Sequence, residues 1–183
     1  MTSFYLIRHA HAEFSSDEQR PLSASGQEMA QEAANLLDAY PVTCIYSSPA
    51  RRALQTVAPL SGRLGLPVHI EHALRERDMG AVEPEVDFFS AVQQTWQDPS
   101  HAFPGGESNT VAQLRGIAVI KRLTERHLGE HLAISTHGNL MTLMMNYYDA
   151  RCDYDFWKAL TMPDIYLLCL KQQHVKITRI WQD

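Results

Sequence analysis

A chain of 183 residues, 45% hydrophobic and 20% charged, can bury one substantial core and is short for two, so a single domain over 1–183 is expected. Its formal charge of −5 excludes a general affinity for nucleic acid, because such a surface repels phosphate backbones except at a locally basic site. The three cysteines, Cys44, Cys152 and Cys169, have unrelated spacings that indicate neither a disulfide framework nor a zinc knuckle; no apolar run approaches the roughly 18 residues of a membrane span, so a cytoplasmic chain with no membrane partner is expected.

Short apolar strands alternate with helical patterns, which predicts a three-layer α/β/α fold with a mostly parallel central sheet. Strands are expected near 3–8, 43–47, 68–71, 132–136, 164–170 and 175–181. The first helix is expected to start at a capping box formed by Ser25 and Glu28, to bury Met29, Ala33, Leu36 and Leu37, and to end before Pro41. A second is expected to start at Ser48-Pro49, with the serine as cap and proline in the first turn, and to run to about Gly65. Val111, Leu114, Ile117, Ala118 and Leu123 predict a long helix within 106–128. Between these, 80–106 carries prolines, a Pro104-Gly105-Gly106 turn and a candidate helix over 88–97, the composition of a covering segment.

Chemistry is expected where strands end. Phe4, Tyr5, Leu6 and Ile7 run straight into Arg8-His9, and Leu132 to Ile134 run through Ser135-Thr136 into His137-Gly138 ahead of a helix. If both strands lie in one parallel sheet, the two imidazoles reach the same edge, where open α/β sheets bind ligands, and the helix after Gly138 aims its free N–H groups there. A third strand end, Ser47-Ser48-Pro49-Ala50-Arg51-Arg52, adds guanidinium groups suited to bidentate hydrogen bonding with phosphate oxygens.

Taken in order, these segments resemble the histidine phosphatase superfamily, also called phosphoglycerate mutase-like. Arg8-His9-Ala10 resembles its Arg-His-Gly signature, and 22–30 its Leu-Thr-x-x-Gly segment. Ser47 through Thr56 is similar to Ser-Ser-Pro-x-x-Arg-Ala-x-Gln-Thr, the most specific match. Leu74-Arg75-Glu76 with Gly80 resembles the Leu-x-Glu segment, Pro104 through Ser108 a Pro-x-Gly-Glu-Ser stretch, and 135–138 the second His-Gly. The resemblance implies a metal-independent phosphatase without a cofactor, acting on a small phosphorylated substrate. His9 would be the nucleophile, Arg8, Arg52 and His137 the phosphate pocket, and Glu76 the general acid, with Glu83 as the alternative acid. Ser15 and Asn139 are further candidate phosphate contacts, Asn139 through its backbone N–H.

To attack phosphorus His9 must be neutral. Two guanidinium groups about 5 Å away would each disfavour imidazolium by roughly 3 kcal/mol at an effective dielectric near 20, so the arginines are expected to hold the imidazole neutral.

The chain departs from the family at Ala10 in place of glycine, and at His11, Ala12 and Ser15, where an acid, a hydroxyl and an amide are usual. Two other members of the family's repertoire, phosphoryl transfer of the mutase type and dephosphorylation of protein phosphohistidine, stay open. So do two readings outside it: a phosphate-binding protein without turnover, and a metal-dependent hydrolase using His9 and His11. The acidic and apolar 80–106 favours a phosphatase over a mutase. His101 is the one further histidine expected to reach substrate; His69, His72, His127, His131 and His174 are expected to be structural or solvent-facing. The sequence leaves the oligomeric state unknown.

Overall fold

A computed structural model describes residues 1–13, 15, 17, 19–171 and 174–182. The strands are β1 (Thr2–Arg8), β2 (Cys44–Ser47), β3 (Val68–Ile70), β4 (His131–Thr136), β5 (Asp164–Lys171) and β6 (His174–Arg179). They form one sheet in the order β3-β2-β4-β1-β5-β6. The first four are parallel, and β5 and β6 extend the sheet antiparallel. The helices are α1 (Ala24–Leu37), α2 (Arg51–Leu64), α3 (Phe88–Gln97), α4 (Asn109–Arg126), α5 (Gly138–Asn146) and α6 (Tyr154–Ala159).

Both faces of the central strands are buried, as expected for parallel strands covered on two sides. Side chains alternate between the faces: Phe4, Leu6, Leu132 and Ile134 pack with residues of α4 and α5. Tyr5, Ile7, Ile45 and Ala133 pack with residues of α1 and α2. The sheet is therefore sandwiched between helical layers, which is the expected three-layer α/β/α arrangement.

Four details differ from the sequence reading, and in the first three a tertiary contact overrides a local signal. The cap of α1 is Ser23, which accepts from the Gly26 N–H at 3.1 Å; Ser25 is already in the helix. The chain is pinned there because the Leu22 N–H donates to Gln55 Oε1 and the Ser23 N–H to the His11 carbonyl. Ser48 and Pro49 lie outside α2, whose cap position is Ala50 with no side-chain cap bond; the Ser48 hydroxyl accepts the Ala50 N–H at 3.3 Å and is also engaged by His137 at 2.8 Å.

In α4 the buried face is Ala112, Gly116, Ile117, Val119, Ile120 and Leu123, while Val111, Leu114 and Ala118 face outward. A Cβ at Gly116 would lie 2.6 Å from the Met144 side chain, so α4 approaches α5 through its smallest residue rather than its largest. In α1 the buried face is likewise rotated: Ala30, Ala33, Ala34 and Leu37 are buried, whereas Met29 is exposed.

Register brings the strand ends level. Arg8 pairs with Thr136 and Ser47 with Ser135. Beyond those pairs the His9 N–H donates to the Thr136 carbonyl and the Ser48 N–H to the Ser135 carbonyl. His9, Ser48 and His137 thus leave the sheet side by side.

Candidate active site

Above those ends lies a cavity of about 570 Å³ whose lining includes Arg8, His9, Arg20, Arg52, Glu76, Arg77 and His137. Its apolar wall comprises Phe88, Val92, Met79, Trp157 and Met162. His9 is buried, and its Nδ1 lies 2.7 Å from its neighbour's carbonyl oxygen, that of Ala10. A carbonyl can only accept, so Nδ1 carries the proton and Nε2 keeps its lone pair. That lone pair accepts the Arg52 Nε–H at 3.2 Å.

His137 has the complementary tautomer. Its Nδ1 accepts from the Arg52 guanidinium at 3.2 Å, so Nε2 bears the proton and donates to Ser48 Oγ at 2.8 Å. One arginine therefore spans both imidazoles, whose ring centres are 5.2 Å apart. Of the two adjacent arginines Arg52 is buried and Arg51 exposed, so only one of them enters the site.

Burial is the largest cause of the depressed basicity of His9, whose pKa falls to about 3; the Ala10 carbonyl opposes the shift, and Arg52, Arg8 and Arg20 add to it. His137 is lowered well below the usual imidazole range, first by burial and then by His9 and Arg52. The expectation that guanidinium charge alone keeps His9 neutral is thus corrected: removing the imidazole from water contributes most.

The loop after β1 is held by the Gln55-Thr56 pair. Thr56 Oγ1 accepts the Ala10 N–H at 3.0 Å and donates to the Arg52 carbonyl at 2.8 Å. A Cβ at Gly26 would come within 2.0 Å of the His11 carbonyl oxygen, so glycine lets α1 lie against that loop. Arg8 reaches across to donate to the Leu160 carbonyl at 2.8 Å and the Thr161 carbonyl at 3.3 Å. That turn is fixed by Asp164, which accepts from the Thr161 N–H and pairs with Arg179. The buried Arg8 Nε–H has no hydrogen-bond partner among the described residues.

Glu76 is brought over the strand ends because Thr136 Oγ1 donates to the Leu74 carbonyl at 2.8 Å. Its carboxylate then accepts from the N–H groups of Asn139 at 3.0 Å, Leu140 at 2.9 Å and Arg77 at 2.8 Å. The first turn of α5 is therefore capped by Glu76, so the Asn139 N–H, expected to face phosphate, is already engaged. The Asn139 side chain instead accepts from Trp96 Nε1 at 3.1 Å and donates to Asn109 at 3.3 Å, tying α3 to α5.

Ser15 does not join the cavity lining. Its hydroxyl accepts the Asp17 N–H at 3.1 Å in a local turn, and its carbonyl receives Arg20 at 2.7 Å. His101 is also elsewhere, packed edge-on against Phe103. His11 meets Ser23 Oγ at 2.8 Å, and with His9 it gathers no third metal donor among the described residues. Glu83 does not line the cavity.

Sequence reasoning missed Arg20 and Arg77. Arg77 is 4% exposed, and the Nε atoms of both are buried with no hydrogen-bond partner among the described residues. Their signal was present as two cations flanking recognised motifs, but a mixed charge run such as Arg75-Glu76-Arg77-Asp78 reads as a solvated face.

The family model for the histidine phosphatase superfamily, branch 1, matches residues 4–180. The chain belongs to this superfamily. Its members here include phosphatases and mutases, and the chain is accordingly an enzyme acting on phosphate esters. Among curated histidine phosphatase relatives, a Salmonella choleraesuis protein named "Probable phosphoglycerate mutase GpmB" is 24% identical over 151 residues, 75% of this chain and 70% of that one. A mycobacterial glucosyl-3-phosphoglycerate phosphatase solved with VO3 superposes with a TM-score of 0.81 at 19% identity, covering 99% of this chain and 98% of that chain. A phosphoserine phosphatase mutant from Entamoeba histolytica, in complex with phosphoserine, gives a TM-score of 0.81 at 19% identity over 97% and 95%. At these identities the structural likeness is one of fold. No helix among the described residues is long and apolar enough to cross a membrane.

Proposed function

We propose that this histidine phosphatase homologue hydrolyses small phosphomonoesters through a covalent phosphohistidine on His9, without a metal ion. The observation that carries the reading is the His9 ring itself: buried, neutral, with Nδ1–H tied to the Ala10 carbonyl and the Nε2 lone pair turned toward Arg52. Phosphate oxygens take over the Arg52 donors now spent on His9 and His137, and Arg8 adds its partnerless Nε–H. Preorganised cations at the equatorial oxygens stabilise the charge of phosphoryl transfer.

In the first step Nε2 of His9 forms a bond to phosphorus as the ester P–O bond breaks. The leaving alkoxide takes a proton from Glu76, held at the start of α5 beside the two histidines. In the second step Glu76 removes a proton from water, the water oxygen bonds to phosphorus, and the N–P bond breaks to release inorganic phosphate and free His9.

Arg20 and Arg77 add two further cations to a cavity lining that also includes the apolar Phe88, Val92 and Trp157. This supports a substrate that carries a second anionic group on a compact, partly apolar body. Turnover of a chromogenic aryl phosphate, insensitive to chelator and inhibited by vanadate, is the expected result. Chelator-sensitive turnover would point to metal-assisted hydrolysis, and tight phosphate binding without turnover to a binding protein; either outcome contradicts the proposal.

A further inference from the structure

At the amino end of the sheet, remote from the cavity, three donor atoms of different chemistry converge. Cys44 is the first residue of β2, His127 caps the carboxyl end of α4, and Glu130 immediately precedes β4. The distances are 3.8 Å from Cys44 Sγ to His127 Nδ1, 3.6 Å from Sγ to Glu130 Oε2, and 3.2 Å from Nδ1 to Oε2. These are the three edges of one face of a coordination polyhedron. With ordinary zinc bond lengths, a tetrahedral centre requires S–N, S–O and N–O separations of about 3.6, 3.5 and 3.3 Å. Every observed edge lies within about 0.3 Å of its required value.

We propose that Cys44, His127 and Glu130 form a divalent-metal site, with Zn²⁺ the cation their donors fit best and water completing the tetrahedron. Thiolate, imidazole and carboxylate together suit zinc rather than magnesium or calcium, which prefer all-oxygen shells. One thiolate and one carboxylate neutralise a dication, and the thiol proton leaves to solvent on binding.

The surroundings orient the donors. The Tyr46 hydroxyl lies 2.9 Å from His127 Nε2, which can fix the ring while Nδ1 coordinates. Thr43 Oγ1 donates to Glu130 Oε2 at 3.1 Å, and Thr2 Oγ1 to the His127 carbonyl at 3.0 Å. The His127 side chain is 12% exposed and that of Glu130 40%, so a cation and its water ligand have access from one side. His137 stands at the far end of β4, roughly 20 Å of strand away, so the metal would fasten β2 to the α4–β4 turn without touching the phosphate pocket.

The test is titration of the chelator-treated full chain with Co²⁺, followed by displacement with Zn²⁺. The expected result is one cobalt per chain with thiolate-to-cobalt charge transfer and tetrahedral visible bands, displaced by zinc, and a rise in Tm when zinc is added. Cys44→Ser should lose the charge-transfer band, and Glu130→Gln, at a more exposed position, should weaken cobalt binding at least tenfold. Both variants should keep wild-type turnover of the aryl phosphate. No cobalt uptake by the wild type, uptake without a thiolate band, or unchanged binding in the folded Glu130→Gln protein would overturn the site.

Discussion

At the carboxyl end of the sheet His9 and His137 are set among guanidinium groups; at the amino end His127 lies between a thiol and a carboxylate. The first two rings are buried, and Arg52 donates to the lone pair of each, so the neutral imidazole is the stable form. His127 shares its oxygen acceptor with a cysteine and faces solvent on one side, which favours binding a cation rather than repelling one. On the two proposals made above, the same side chain serves a phosphorus electrophile at the carboxyl end of β1 and a metal ion at the amino end of β4. The neighbours, not the residue type, assign the role.

The comparison breaks most decisively at His9. His9→Ala is expected to lower kcat by about a thousandfold or more while leaving the far-ultraviolet circular dichroism unchanged. The same variant tests the electrostatics. The folded pKa of His9, about 3, lies below the ordinary value of 6.5, so the unfolded chain binds the extra proton between those limits. The stability that this contributes is complete above pH 6.5 and is lost as pH falls toward 3. Thermal unfolding of His9→Ala should therefore decline less steeply than wild type over that window; parallel curves would contradict the burial argument.

Next in size is Glu76→Gln, which removes the proton carried to the leaving group. Alkyl phosphates should slow by about a hundredfold or more and aryl phosphates far less, since an aryl oxide leaves without a proton. Equal losses on the two substrates would assign Glu76 to capping α5 alone.

Of these two residues His9 was legible from the strand pattern for a physical reason, whereas Glu76 rested on the family resemblance alone. His9, Arg52 and His137 each follow a strand end, and parallel strands in register bring their carboxyl ends together whatever the details between them. The alternation of strands and helices likewise sufficed for the layers of the fold. What depended on distant partners was not legible. Ser48 was read as a helix cap although it serves His137, and the apolar stripe of α4 was read by size although Gly116 sets the contact with α5. Arg77 was hidden in a charge run, and Cys44 meets His127 across 83 residues. The family resemblance placed Ser15 on phosphate, but the turn with Asp17 takes its hydroxyl.

Smaller effects sharpen how the cavity is built. Trp96→Phe deletes the Nε1–H donated to Asn139 and should cost about 1 kcal/mol, or roughly 2–4 °C in Tm for a chain of this size. A several-fold fall in kcat/KM alongside it would show that α3 helps hold the start of α5; an unchanged kcat/KM would make the bond one of stability only. Smallest of all, Ser15→Ala should leave kcat and KM within twofold of wild type, and a larger change would return Ser15 to the substrate site.

Rapid quenching of the enzyme during turnover of a radiolabelled phosphomonoester tests the central claim most directly. The account predicts an acid-labile, base-stable label on the chain that maps to the peptide containing His9 and is absent from His9→Ala. Turnover without a covalent label, or a label that persists in His9→Ala, would contradict it.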